Sequence, residues 1–260
     1  MIYEICAQTD QGLVRINNED AVAFDAPTGL CLLADGMGGY KAGEVASHMA
    51  VTSIMLEFAP WLQAGSQVPT EELRRHMQTC VGNVNHSIFS AACTHPEYEG
   101  MGTTLVVGVF TEGRLVLGHI GDSRCYRLRG QNLQQITRDH SLLQEQVDAG
   151  LITPEQALTA PHKNLITRAL GVEYSVLVEI NEHQVMLDDL YLMCSDGLSD
   201  MVLDADIAAI LHTAGTLEEK AIKLVDAANQ GGGRDNISVL LAHAREDASR
   251  RGLLSRMLGK

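Results

Sequence analysis

Four short apolar runs in this chain stop or start at an aspartate close to glycine. They are LLADGMGG at 32–39, HIGDSR at 119–124, LYLMCSDG at 190–197 and GGGRDNISVL at 231–240. One Asp-Gly constrains little, because it is a common turn dipeptide. Four such sites at strand ends are harder to explain as turns alone. If the strands pack side by side, Asp35, Asp122, Asp196 and Asp235 meet at one rim of the sheets. The segment RINNED adds Glu19 and Asp20 just before a further strand. Like charges at that range force protonation unless something positive compensates them.

Hard divalent cations are the natural compensation, since an all-oxygen donor set favours Mg²⁺ and Mn²⁺. Zinc is disfavoured, because the ten histidines show no His/Cys ligand spacing. Two such ions about 3.5–4 Å apart can bridge a water, lower its pKa and hold a phosphate for in-line attack. Arg15, four residues before Glu19, offers the bidentate fork that phosphate recognition uses.

The rest of the chain reads as one α+β domain. Strand-like runs occur at 3–8, 29–35, 103–110, 114–120, 176–180, 189–196 and 236–243, the third and fourth forming a hairpin across Glu112-Gly113. Helical spacing places Val45, Met49, Thr52 and Leu56 on one face within 42–58, and Leu73, Met77, Val84 and Ile88 on a face of the next helix. Capping boxes open helices at Thr216 and Thr153. Two strand-rich blocks, each with a helix pair, predict sheet-on-sheet packing with helices outside. Residues 141–175 interrupt the strand pattern with short helical pieces and polar connections, read as an ordinary helical connection or as a mobile flap, with 141–165 the candidate flap. The domain is set at 1–244, and 245–260 forms a basic tail with interleaved leucines, read as a frayed end or an amphipathic docking helix.

Composition narrows the partners. A formal charge of −14 argues against nucleic acid. No run reaches the ~18 apolar residues of a membrane span. Six cysteines without a CxxC pair read as reduced thiols, which places the chain in the cytoplasm. A cysteine-nucleophile phosphatase is excluded because no Cys has Arg six positions later, and no P-loop is present. The Gly121-Asp122-Ser123 segment lacks the Gly-x-Ser-x-Gly setting of a serine hydrolase.

In their order, RINNED, LLADGMGG, MGTT (101–104), IGDSRCYRLR, TRDHS, ITRALG, MCSDGLSD and GGGRDNISV resemble the motifs of metal-dependent protein phosphatases of the 2C type, in their compact bacterial form. The resemblance implies a central β-sandwich of two antiparallel sheets flanked by helix pairs. It implies a phosphoserine/phosphothreonine phosphatase using a water activated by a binuclear Mg²⁺/Mn²⁺ centre. Asp35 would bridge two ions, the Gly36 carbonyl would bind one, and Asp196 and Asp235 would complete the second. Glu19 and Asp20 would act through waters, Arg15 would hold the substrate phosphate, and Asp122 with Asp196 marks a third-ion position. Asn236 would orient its neighbours. Phosphoproteins, a bacterial Ser/Thr kinase and its substrates, would be the partners of a monomeric enzyme. One departure stands out: Met37 occupies the place of a histidine that eukaryotic relatives use as general acid. A bound water, or more weakly His140, is the candidate proton donor. The competing class is a phosphoprotein-binding module without catalysis.

Overall fold

The computed structural model describes residues 1–39, 42–65, 68–160 and 165–247, apart from the side chains of residues 158 and 159. Among the described residues, eleven strands form two antiparallel sheets. The first contains β1 (Ile2–Asp10), β7 (Arg124–Arg129), β8 (Asn132–Gln135), β10 (Leu190–Cys194) and β11 (Ile237–Arg245), in the order β1-β11-β10-β7-β8. The second contains β2 (Asp20–Asp25), β3 (Leu30–Met37), β5 (Leu105–Thr111), β6 (Arg114–Ile120) and β9 (Glu179–Gln184), in the order β2-β3-β5-β6-β9. A short β4 (Gly102–Thr103) pairs with the end of β3.

Three apolar clusters correspond to the three interfaces of a four-layer α-β-β-α arrangement. Leu33, Val106 and Leu117 from one sheet meet Tyr191, Met193 and Leu240 from the other. The opposite face of the second sheet, Leu32, Val107 and Val116 among others, packs under α1 (Ala42–Ala64) and α2 (Thr70–Thr94). On the other side Leu192, Val239 and Leu241 pack under α6 (Asp204–His212) and α7 (Leu217–Gln230). Central strands are therefore covered on both faces. They read as continuous apolar runs rather than as the alternation of a half-exposed sheet.

The expected sandwich with outer helices is the observed one, and it adds detail that the sequence pattern missed. Strands β7 and β8 and helix α6 are additional to the predicted elements, and arginines and glutamines break the pattern of the two strands. The run at 176–180 was expected to be a strand, but β9 begins at Glu179 and is an edge strand of mixed polarity. Val176 and Val178 instead pack as loop residues on the helix-side core. The hairpin between β5 and β6 turns at Glu112 and Gly113, both with positive φ (46° and 76°), as a two-residue type I′ turn requires.

Helix α1 corrects part of the predicted face, since Val45 and Met49 pack partly buried against the core while Thr52 and Leu56 are exposed. Its buried side is Ala46, Ala50, Ile54 and Phe58, whereas Leu56 is 73% exposed. Small residues let the helix lie close to β2 and β3, so side-chain volume misled the pattern. By contrast Leu73, Met77, Val84 and Ile88 on α2 are all buried as expected. Between Ser141 and Leu165 the described chain forms α3 (Leu142–Asp148) and α4 (Pro154–Thr159). Thr153 caps α4 with the expected capping box, as Thr216 does for α7. The basic tail lies almost entirely outside the described residues.

The corrected face of α1 is testable by urea unfolding. Leu56→Ser is expected to change stability by no more than about 0.5 kcal/mol. Ala50→Leu should cost about 1–3 kcal/mol by overpacking against the sheet. The reverse ranking would contradict the packing described here.

Candidate active site

Asp35 sits near the end of β3, directly opposite Asp20 on β2 in the antiparallel register. Its backbone is fixed by the MGTT segment. Thr103 Oγ1 and the Thr104 amide both donate to the Asp35 carbonyl at 2.9 Å, and the Asp35 amide donates to Thr104 Oγ1 at 3.0 Å. Thr104 Oγ1 also shares a 2.7 Å hydrogen bond with Ser123 Oγ, the residue after Asp122. Two aspartate-bearing segments thus hang on one threonine. Gly36 lets the start of α1 come close: a Cβ there would lie 2.1 Å from the Gly43 carbonyl oxygen and 2.5 Å from that of Glu19.

The first sheet contributes the facing residues. Asp196 opens the short helix α5 (Asp196–Ser199), directly after β10. Ser195 Oγ donates to Asp20 Oδ2 at 2.8 Å, which joins the two sheets at this rim. Asp235 precedes β11, and its Oδ2 accepts from Arg15 Nη2 at 2.6 Å. Asn236 clamps the loop that carries Arg15 and Glu19. Its Nδ2 donates to the carbonyls of Gln11 and Asn17, and its Oδ1 accepts the Glu19 amide at 2.8 Å.

The carboxylates expected to converge do so. Burial, then the charges of Asp20, Asp196, Asp122 and Asp235, push the Asp35 carboxyl well above the usual range. Burial, then Asp122 and Asp235, does the same to Asp196. Asp20 and Asp122 are raised to about 6, in both cases chiefly by burial. Glu19 lies at the border, raised by burial and opposed by Arg15. Asp20 Oδ1 is buried without a hydrogen-bond partner. A group of hard oxygen donors with an orphaned buried oxygen fits divalent cations well.

The two candidate proton donors stand differently. Met37 ends β3 opposite Gly102 and lines a groove of about 680 Å³ with Ile166, Arg168 and Val172. His140 is buried, with Nδ1 bonded to the Gly121 amide and Nε2 3.5 Å from Glu179 Oε2. Its ring nitrogens are directed at the Gly121 amide and at Glu179. Ser123 is buried on Thr104, which removes it as a nucleophile. A cleft of about 440 Å³ joins Asp122 and Asp196 to Leu143, Gln144, Pro154 and Ala157, so α3 and α4 stand beside the rim. Thr103, Thr104 and Ser195 have no role among the sequence expectations, and Ser123 is weighed there only as a nucleophile. The available signal is a serine beside two of the acidic strand ends, Ser123 after Asp122 and Ser195 before Asp196.

A sandwich with a carboxylate rim of this kind defines a class, and the comparisons agree. The family model "Protein phosphatase 2C" matches residues 14–228. The chain belongs to the protein phosphatase 2C family. It is 40% identical over 237 residues to the serine/threonine phosphatase stp of Listeria innocua, covering 90% of this chain and 93% of that protein. Among solved structures, the Mycobacterium tuberculosis serine/threonine phosphatase PstP superposes with a TM-score of 0.86 at 40% identity, covering 95% of this chain and 100% of that one. The catalytic domain of PstP in complex with two manganese ions gives a TM-score of 0.83 at 40% identity, over 94% of this chain and 99% of that one.

Raised carboxyl pKa values have a definite sign in stability. A folded state that binds protons more tightly than the unfolded chain loses stability as pH rises. The window runs from the unfolded value near 4 up through about 6 for Asp20 and Asp122, and higher for Asp35 and Asp196. In EDTA, the melting temperature is expected to fall between pH 5 and pH 8, with a shallower fall in Asp35→Asn. Equal slopes for the two proteins would contradict the repulsion described here.

Proposed function

We propose that the chain is a metal-dependent serine/threonine protein phosphatase that hydrolyses phosphoserine and phosphothreonine in proteins. The observation that carries this reading is the convergence of Asp20, Asp35, Asp122, Asp196 and Asp235 from both sheets, with Arg15 at the rim. Asp35, Asp196 and Asp235, with the Gly36 carbonyl, would hold two Mn²⁺ or Mg²⁺ ions. Glu19 and Asp20 would act through waters, and Asp122 with Asp196 would offer a third position. When bound, such ions supply charge neutralisation, Lewis acidity and an acidified water.

The chain's own residues do the positioning. Thr103 and Thr104 hold the Asp35 backbone, and Asn236 holds the loop from which Arg15 projects. The Arg15 guanidinium is about half exposed and carries five N–H donors in a planar fork, which suits phosphoryl oxygens. Asp235 orients that fork through its 2.6 Å contact. Met37 has no proton to give and His140 is engaged elsewhere, so protonation of the leaving alkoxide falls to water. Residues 141–165 serve as a flap, supported by the cleft that α3 and α4 share with Asp122 and Asp196.

The substrates are phosphoproteins, made by a Ser/Thr kinase of the same bacterial cell. The chain acts as a monomer in the cytoplasm; the compartment is supported by its six free cysteines, of which only Cys93 is exposed. Among the described residues no helix is long and apolar enough to cross a membrane.

The test uses p-nitrophenyl phosphate and a phosphothreonine peptide. Activity should require Mn²⁺ or Mg²⁺ and vanish in EDTA. Asp35→Ala and Asp196→Ala should each lower kcat by about 10²–10³-fold, the scale of losing one transition-state charge stabiliser. Arg15→Lys should raise KM about ten-fold, or ~1.4 kcal/mol of phosphate binding. Turnover that survives EDTA would overturn the mechanism. Phosphopeptide binding without turnover under any divalent metal would favour the binding module.

A further inference from the structure

One buried histidine has no task in the proposed reaction, yet it grips the turn that carries Asp122. The Gly121 amide donates to His140 Nδ1 at 3.1 Å, and the His140 amide donates to the Gly121 carbonyl at 2.9 Å. Gly121 has φ of +100°, and a Cβ there would lie 2.6 Å from Thr104 Cγ2. The turn is thus held from one side by Thr104 and from the other by His140. The His140 carbonyl accepts the Thr167 amide at 2.8 Å, and Ser141 forms a bridge with Ile166. Both ends of the 141–165 excursion therefore meet at this histidine.

The surroundings fix the ring as well as the backbone. It stacks on His119 with centroids 4.8 Å apart and planes 12° apart. His119 Nε2 lies 2.9 Å from the Arg138 carbonyl oxygen. A backbone amide can only donate, so His140 Nδ1 carries a lone pair and the proton of the neutral ring sits on Nε2, facing Glu179. This tautomer also decides a rival reading. His119, His140 and Glu179 present ligand atoms within 4.8 Å of one another, a donor set of the zinc type. With Nδ1 occupied and Nε2 protonated, His140 has no lone pair left for a metal.

We propose that His140 is a positioning residue for Asp122, its unprotonated Nδ1 holding the Gly121 amide and so setting where the Asp122 carboxylate meets Asp196. The proposal rests on the phosphatase reading in taking Asp122 and Asp196 as a divalent-ion position. Its structural half does not depend on turnover. The Arg124–Asp139 ion pair, 2.7 Å between Nη2 and Oδ2, joins the same two segments independently. Loss of the imidazole should therefore loosen the turn without separating the segments.

Three variants separate acceptor from bulk. His140→Asn keeps an acceptor oxygen near the Nδ1 position, His140→Gln moves its polar group outward towards Nε2, and His140→Leu removes both. In metal-free protein, imidazole ¹⁵N shifts should show the Nε2–H tautomer for His140. The Gly121 amide should be protected from hydrogen exchange in wild type and Asn, and less protected in Gln and Leu. Mn²⁺ titration by calorimetry should then show the weakest site losing affinity about ten-fold in Gln and Leu and recovering in Asn. Melting temperatures should not follow that order. A proton on Nδ1, or Asn behaving like Leu in exchange and titration, would overturn the proposal. Absence of turnover with these results intact would count against the phosphatase reading alone.

Discussion

Asp20 and Asp35 face each other across an antiparallel strand pair, and like charges directly opposite destabilise a sheet. The rest of the rim adds to the difficulty, because Asp122, Asp196 and Asp235 all bear on the same carboxyl. Such a cluster persists only if the fold is stable enough elsewhere to impose it. The three apolar layers provide that stability, and bound cations or protons relieve the repulsion. Function here is located where the fold is electrostatically least comfortable.

The architecture explains how five carboxylates reach one place. Each sheet delivers its acids at strand ends, where chain direction is set by long, doubly buried strands. Hydroxyl side chains then fix the last ångström. Thr104 couples Asp35 to the Ser123 end of the Asp122 turn, and Ser195 couples the Asp196 strand to Asp20. Glycine enters where backbones must nearly touch: a Cβ on Gly197 would lie 1.9 Å from the Asn236 carbonyl oxygen. Precision at this rim comes from neutral groups, while the charged groups supply chemistry.

Much of this was legible in the sequence, and the reason is physical. A doubly buried strand leaves an uninterrupted apolar run, so its abrupt end at aspartate is visible without a structure. The motifs carried the family resemblance, and with it the sandwich that is observed. What stayed hidden depends on packing distance rather than on pattern. The first half of the buried face of α1 is Ala42, Ala46 and Ala50 with Gly43 and Ser47, small residues that stand out less than Leu56 in a hydrophobic pattern. β7 and β8 carry arginines and glutamines because polar partners cover them, as Asp139 covers Arg124. The threonine and serine tethers look like ordinary turn residues until their partners, many tens of residues away, are in place.

The central claim is that burial and mutual charge raise the proton affinity of Asp20, Asp35, Asp122 and Asp196 when no cation sits on them. It is tested most directly by calorimetric titration of the metal-free protein with Mn²⁺ at pH 6, repeated in buffers of different ionisation enthalpy. With Asp20 and Asp122 titrating at about 6 and Asp35 and Asp196 higher, Mn²⁺ binding should release protons, and the release should shrink as the pH is raised. Binding enthalpies that do not depend on the buffer would mean that no proton leaves, and would contradict the account.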